Sequence, residues 1–245
     1  MLYALLFLAG LWAGAQNALA GGGSFITLPA LIASGLDPRA ANITSTIALF
    51  PGQVTTGWAG RSLVAGAERL SFKALAIISL GGGVAGAFLL LRTPPAVFAV
   101  MVPWLVLAAT ALFAWSSFGP KPKVAPEPPP TWVSALIQTV IAVYGGFFGG
   151  GAGIMTLAAL TLARMPVRNA AGTKNVLVGL ANISAAAVLA FSGAVAWWSA
   201  LAIGAGSMIG GYAGAMALKR VPATALKIGV VVIGVGLTIA LFVRG

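Results

Sequence analysis

The sequence predicts an all-α polytopic membrane protein made of two inverted repeats of about five segments each, with broken helix hairpins at its glycine runs. Three observations carry this. First, 60% of the 245 residues are apolar and 7% charged, and the mean hydropathy is +1.02. So little polar surface suits a chain whose solvent is largely lipid. Second, the chain repeats itself: Gly21-Gly22-Gly23 recurs as Gly149-Gly150-Gly151, and Gly82-Gly83-Val84-Ala85-Gly86-Ala87 as Gly210-Gly211-Tyr212-Ala213-Gly214-Ala215, at an offset of 128. One inserted residue after the first run brings Thr27 onto Thr156, Arg39 onto Arg168, Ala41 onto Ala170 and Thr44 onto Thr173. Internal duplication in so hydrophobic a chain is characteristic of membrane transporters. Third, the basic residues alternate between two sides of the expected topology.

Taken in order, the first half holds segments at 2–19, 24–34, 41–60, 71–91 and 95–117, and the second at 132–148, 153–163, 169–191, 196–218 and 222–243. Residues 1–117 thus form a first transmembrane repeat and 132–245 a second, inverted one. Between them, 118–131 is a linker whose prolines at 120, 122, 126, 128, 129 and 130 forbid helix and favour extended, solvated chain. The first segment has the length of a signal peptide but lacks a basic start. Its repeat partner, Val133 to Phe148, lies deep inside the chain, so the first copy is expected to be a retained helix.

The second segment of each half is too short to cross alone, since about 11 residues rise only about 16 Å against a hydrocarbon core of about 30 Å. A glycine triplet precedes each one, so each pair reads as a hairpin with an unwound tip. Such backbone survives at membrane depth only when buried in protein or facing a watery cavity. A substrate site is expected there, with Gly22, Gly23, Gly150 and Gly151 at the tips.

If both hairpins enter and leave from one side, the second half is inverted relative to the first. One side then carries Arg61, Arg69, Lys73, Lys121, Lys123, Arg164, Arg168, Lys219, Arg220 and Lys227, and the other only Arg39, Arg92 and Arg244. That asymmetry places the linker in the cytoplasm and both termini outside. The charge follows loop alternation rather than forming one patch, which argues against nucleic acid as a partner.

Polar side chains inside the spans are few: Gln16 and Asn17 before the first glycine run, Asn42, Thr44, Ser45, Thr46 and Gln53, then Thr173, Lys174, Asn175, Asn182 and Ser184. At the 129 offset Thr44 meets Thr173, Ser45 meets Lys174, Thr46 meets Asn175 and Gln53 meets Asn182. Isolated residues of this kind also glue helices together by hydrogen bonds, but a paired cluster on symmetry-related helices is expected to touch substrate. Apart from Lys73 and Lys227, which the charge count assigns to the linker side, Lys174 is the one cation within a span. It can snorkel to the interface along its own stem or serve as counter-charge to an anion. Unwound backbone leading into a helix N-terminus supplies free N–H donors and a positive dipole end, again suited to an anion. The glycines at 82, 83, 86, 210, 211 and 214 are better explained by close helix packing.

The duplicated order of apolar helix, glycine run, short helix and small-residue stretch carries a family resemblance. It stands as Ala20-Gly21-Gly22-Gly23-Ser24 with Ala41-Asn42-Ile43-Thr44-Ser45-Thr46, and as Gly149-Gly150-Gly151-Ala152-Gly153 with Ala170-Ala171-Gly172-Thr173-Lys174-Asn175. This resembles the sulfite exporter TauE/SafE family over nearly the whole chain. The resemblance implies transport of small sulfur-containing or organic anions, such as sulfite, sulfonates or sulfoacetate, across a bacterial cytoplasmic membrane, with export the expected direction.

Several classes are disfavoured. There is no cysteine or histidine, and the three carboxylates, Asp37, Glu68 and Glu127, fall in expected loops. No nucleophile–base pair, metal cluster or cofactor motif can be assembled, so neither an enzyme nor a bound cofactor is expected. A membrane-embedded carboxylate relay is likewise disfavoured, and the glycine runs lack the Lys-Ser or Lys-Thr ending of a phosphate-binding loop. The expected partners are the lipid bilayer and a small anionic substrate, bound by Lys174, Thr173, Asn175, Thr44, Ser45, Asn17, Gln53, Asn182 and the four tip glycines. An anion channel without alternating access is the alternative to a secondary transporter.

Overall fold

The computed structural model describes residues 1–19, 21–59, 61–67, 69–119, 127–217 and scattered positions between 228 and 243. In the first half the helices are α1 (Leu2–Leu19), α2 (Ser24–Ala33), α3 (Pro38–Ala59), α4 (Phe72–Arg92) and α5 (Pro95–Phe118), with one 3-10 turn at Arg61–Leu63. The second half holds α6 (Thr131–Phe147), α7 (Ala152–Leu162), α8 (Val167–Leu189) and α9 (Trp197–Ala217). No strand occurs among the described residues, only an isolated bridge between Ala67 and Leu70. The expected tenth segment, 222–243, and the linker prolines at 120, 122 and 126 lie largely outside the described residues, whereas 127–130 is non-helical.

Local signals explain the boundaries. α3 begins at Pro38, earlier than expected, because Asp37 caps it: its Oδ1 accepts from the backbone N–H of Arg39 at 3.0 Å and of Ala40 at 3.1 Å. Proline is tolerated at the first helical position, where its missing N–H has no partner to lose. Ser71 caps α4 by accepting from Ala74 N–H at 3.3 Å. Pro95 opens α5 and Pro130 precedes α6.

The two halves interlock. α1 packs along α9 while α4 packs along α6, and α3 meets α9 as α4 meets α8. Exchanging each helix for its repeat counterpart turns the α1–α9 contact into α6–α4 and the α3–α9 contact into α8–α4, and α3 crosses α8 between them. Lipid tails supply little hydrophobic drive between helices, so small residues that let backbones approach are what hold such pairs. Gly10 and Gly14 sit against the backbone of Ile203 and Ser207, while Gly206, Gly210 and Gly214 sit against Phe7, Leu11 and Ala15. At the counterpart interface Gly82 meets Ala142, Gly86 meets the Val143 carbonyl, and Gly146 meets the Gly83 carbonyl. The repeated glycine-rich stretches are therefore packing surfaces, as their composition suggested.

This packing makes a prediction. Gly210→Leu would drive a side chain into the Leu11 backbone, so the protein should fail to accumulate in the membrane fraction. Gly81→Leu meets open space and should accumulate normally. Equal yields of the two variants, measured by quantitative blotting of membranes, would refute the assignment.

The outer surface suits lipid. Phe72–Arg92, Pro95–Leu112 and Arg168–Leu189 are each long and apolar enough to cross a membrane. Exposed tryptophans stand near helix ends, at Trp58 on α3, Trp132 on α6, and Trp197 and Trp198 on α9, where an indole ring sits at the lipid–water boundary. The guanidinium of Arg61 lies 4.3 Å from the Trp58 ring centroid.

Candidate functional site

The glycine runs interrupt the chain as left-handed backbone. Gly21 and Gly22 have φ of +83° and +84°, and Gly149 and Gly151 have +78° and +82°. A side-chain-bearing residue reaches this region only at a cost of about 1–2 kcal/mol, which is why glycine stands there. Gly21 matches Gly149 at one offset and Gly22 matches Gly151 at the next, so the inserted residue of the second copy is Gly150. The breaks leave backbone groups to be satisfied. Gln16 Nε2 donates to Gly22 O at 3.3 Å, Asn42 Nδ2 to Phe147 O at 3.0 Å, and Gly23 N–H to Asn17 Oδ1 at 2.7 Å.

The two tips meet. A Cβ placed on Gly21 would lie 3.8 Å from Gly153 Cα, and one placed on Gly149 would lie 3.6 Å from Ser24 Oγ. Between them is a cavity of about 30 Å³, room for about two water molecules. Its wall is formed by Asn17, Gly21, Gly22 and Ser24 from the first hairpin, Gly149 and Gly153 from the second, Gln53 and Thr56 from α3, and Lys174, Asn175 and Val178 from α8. Only Val178 contributes an apolar side chain beyond glycine.

Donors dominate this wall. Lys174 is 4% exposed, and among the described residues no acceptor or carboxylate engages its ammonium. The backbone N–H groups of Gly149 and Gly153 likewise have no acceptor among the described residues. Asn17 spends its carbonyl on the Gly23 N–H. Because a backbone N–H can only donate, that bond fixes the amide orientation and leaves the Asn17 NH₂ free. Gln53 Oε1 accepts from Asn182 Nδ2 at 2.7 Å, which leaves the Gln53 NH₂ free in turn. An ammonium, two side-chain amide donors and two helix N-termini converge on a space that no carboxylate of the described residues enters. That arrangement favours negative charge.

Of the residues the sequence singled out, Lys174, Asn175, Gln53, Asn17 and Gly22 line the cavity. The others lie around it. Thr173 Oγ1 accepts from Ala65 N–H at 3.0 Å and donates to Ala65 O at 3.2 Å, and Thr44 Oγ1 accepts from Ala196 N–H at 3.1 Å. Ser45 pairs with Thr27, their hydroxyls 2.6 Å apart. Asn182 backs Gln53, Gly23 abuts Asn17, and Gly150 and Gly151 complete the second tip. Ser184 bonds the Leu80 carbonyl at 2.9 Å and so ties α8 to α4.

Sequence reasoning omitted Ser24, Thr56, Gly149, Gly153 and Val178 from the site, and named Gly21 only as part of a repeat. A helical stripe would have found several. Thr56 follows Gln53 by three residues and Val178 follows Lys174 by four, so each pair shares one helix face. Ser24 and Gly153 are repeat mates on the first turns of α2 and α7.

Broken helices around a polar, donor-rich cavity inside an apolar helical bundle define the class as a polytopic membrane transporter. Comparison with known sequences agrees. The family described as Sulfite exporter TauE/SafE matches residues 6–241. A probable membrane transporter protein, ORF9, of Sinorhizobium sp. is 32% identical over 248 residues, covering 98% of this chain and 92% of the relative. A probable membrane transporter protein of Haemophilus influenzae is 30% identical over 220 residues, covering 87% and 84%. The probable membrane transporter protein YfcA of Escherichia coli is 27% identical over 218 residues, covering 86% and 78%. No solved structure matches. The chain belongs to the sulfite exporter TauE/SafE family.

Proposed function

We propose that the protein is a secondary transporter, working as an exporter, of small sulfur-containing or organic anions such as sulfite, sulfonates or sulfoacetate. It acts in the bacterial cytoplasmic membrane by alternating access around a midplane site between its two repeats. The observation that carries this reading is the Lys174 ammonium, buried without a partner among the described residues and set in a cavity between two broken-helix tips. A lone ammonium at membrane depth is costly, and a bound anion supplies the charge that offsets it. The anion also accepts from Asn17, Gln53 and the free backbone N–H groups.

The inverted arrangement, with residues 1–117 and 132–245 as the repeats, is supported by contacts at opposite ends of α3 and α8. The start of α8 touches the α3–α4 loop through Thr173 and Ala65, and Asn169 Nδ2 donates to Leu63 O at 3.1 Å. The start of α3 touches the α8–α9 loop through Thr44 and Ala196, and Arg39 Nη2 donates to the Leu91 carbonyl near the end of α4 at 2.6 Å. Two repeat-equivalent helices running in opposite directions are what inversion requires. With the basic-residue asymmetry, this supports a cytoplasmic linker and termini on the outside.

Flux of labelled sulfite and sulfoacetate into liposomes holding the purified protein tests the reading. Saturable uptake with counterflow is expected. Absence of flux for every anion tried would overturn transport, and non-saturating conductance would make the protein a channel.

A further inference from the structure

Two threonines stand at the same position of the repeat, buried on the two helices that cross at the cavity, and each holds a loop of the opposite half. Thr173 on α8 binds both the N–H and the carbonyl of Ala65, in the α3–α4 loop. Thr44 on α3 accepts from the N–H of Ala196, in the α8–α9 loop. Both threonines are 0% exposed. Thr173 directly precedes Lys174, so a loop held by Thr173 sits next to the cavity wall. These are bonds between halves, at opposite ends of the antiparallel pair α3 and α8.

We propose that Thr173–Ala65 and Thr44–Ala196 are the two gate latches of the transporter, one for each side of the membrane. This rests on the alternating-access reading above. Opening the site toward the linker side requires the α3–α4 loop to leave α8, which breaks the Thr173 bonds. Opening toward the other side requires the α8–α9 loop to leave α3, which breaks the Thr44 bond. The structure holds both latches formed around a cavity of about 30 Å³. The Thr173 side is held more firmly, because its hydroxyl both accepts and donates and Asn169 adds a bond to Leu63. Loss of one neutral hydrogen bond shifts a two-state equilibrium by about two- to tenfold.

The test needs no substrate. The chain has no cysteine, so Ser24→Cys places a single thiol in the cavity wall. Its labelling by a membrane-impermeant maleimide is followed in vesicles of both orientations. Thr173→Val keeps shape but removes the hydroxyl and both of its bonds to Ala65, and should raise the labelling rate by at least about two- to tenfold from the linker side alone. Thr44→Val should raise it from the opposite side alone. Thr173→Ser and Thr44→Ser keep the hydroxyl and should restore the parent rates, which separates latch loss from general loosening. Labelling unchanged in both valine variants, or raised on the same side in both, would overturn the proposal. Sulfite flux into vesicles holding the parent chain, with Ser24 intact, tests the transport reading separately: flux there without a sided shift in labelling sinks the latches alone, and no flux for the parent chain sinks the transport reading.

Discussion

Lys174→Gln is expected to weaken anion binding by about 10- to 100-fold, the range of a lost charge-assisted hydrogen bond worth about 1.5–3 kcal/mol. Glutamine keeps much of the length and a donor but removes the charge, so the test isolates electrostatics from packing. Arginine keeps the charge on a planar group with different reach, and Lys174→Arg should retain part of the binding. The size of the effect follows from the surroundings. Lys174 is 4% exposed, and among the described residues it has no ion-pair partner that could take over. Equilibrium binding of labelled sulfite to purified protein measures it. Unchanged affinity in Lys174→Gln would make the lysine an interface-seeking side chain and leave the anion to the N–H groups of the glycine tips.

Gly149→Leu should abolish flux while leaving the protein in the membrane. Two effects combine. The residue has φ of +78°, so any side chain costs about 1–2 kcal/mol of backbone strain. A leucine would also grow into the cavity, from a Cβ 3.6 Å from Ser24 Oγ and 3.9 Å from Thr46 Oγ1. The cavity of about 30 Å³ cannot hold both that side chain and an anion. The Cβ itself stands at ordinary contact distance from the Gly145 carbonyl, 3.6 Å, and from the two hydroxyls, in contrast to Gly210→Leu, where the clash lies in the α1–α9 interface. Gly149→Ala should show the strain with much less occlusion. Normal sulfite uptake by Gly149→Leu, at membrane levels matching the parent, would remove the tips from the transport path.

The class of the protein and nearly all of its described helix boundaries are properties of the sequence alone, because local physics sets both. Hydropathy decides the solvent. Pro38, Ser71, Pro95 and the glycine triplets start and stop helices through dihedral limits and unpaired backbone groups, which act over a few residues. The rare polar residues of the spans were legible too, since a polar group costs more in lipid wherever it sits, and Lys174, Asn175, Gln53 and Asn17 all line the cavity. Tertiary structure decided which way each one faces. Thr173 and Lys174 are neighbours in sequence but about 100° apart around a helix, so one hydroxyl meets the Ala65 loop while the ammonium meets the cavity. Gln53 and Asn182, matched by the repeat, spend a hydrogen bond on each other, and only one of them lines the site. The meeting of the two glycine tips is longer-ranged still. It exists because α1 packs on α9 and α4 on α6, and no spacing along the chain encodes which of two glycine-lined faces will find which, since that depends on backbone shape over whole helices brought together in three dimensions.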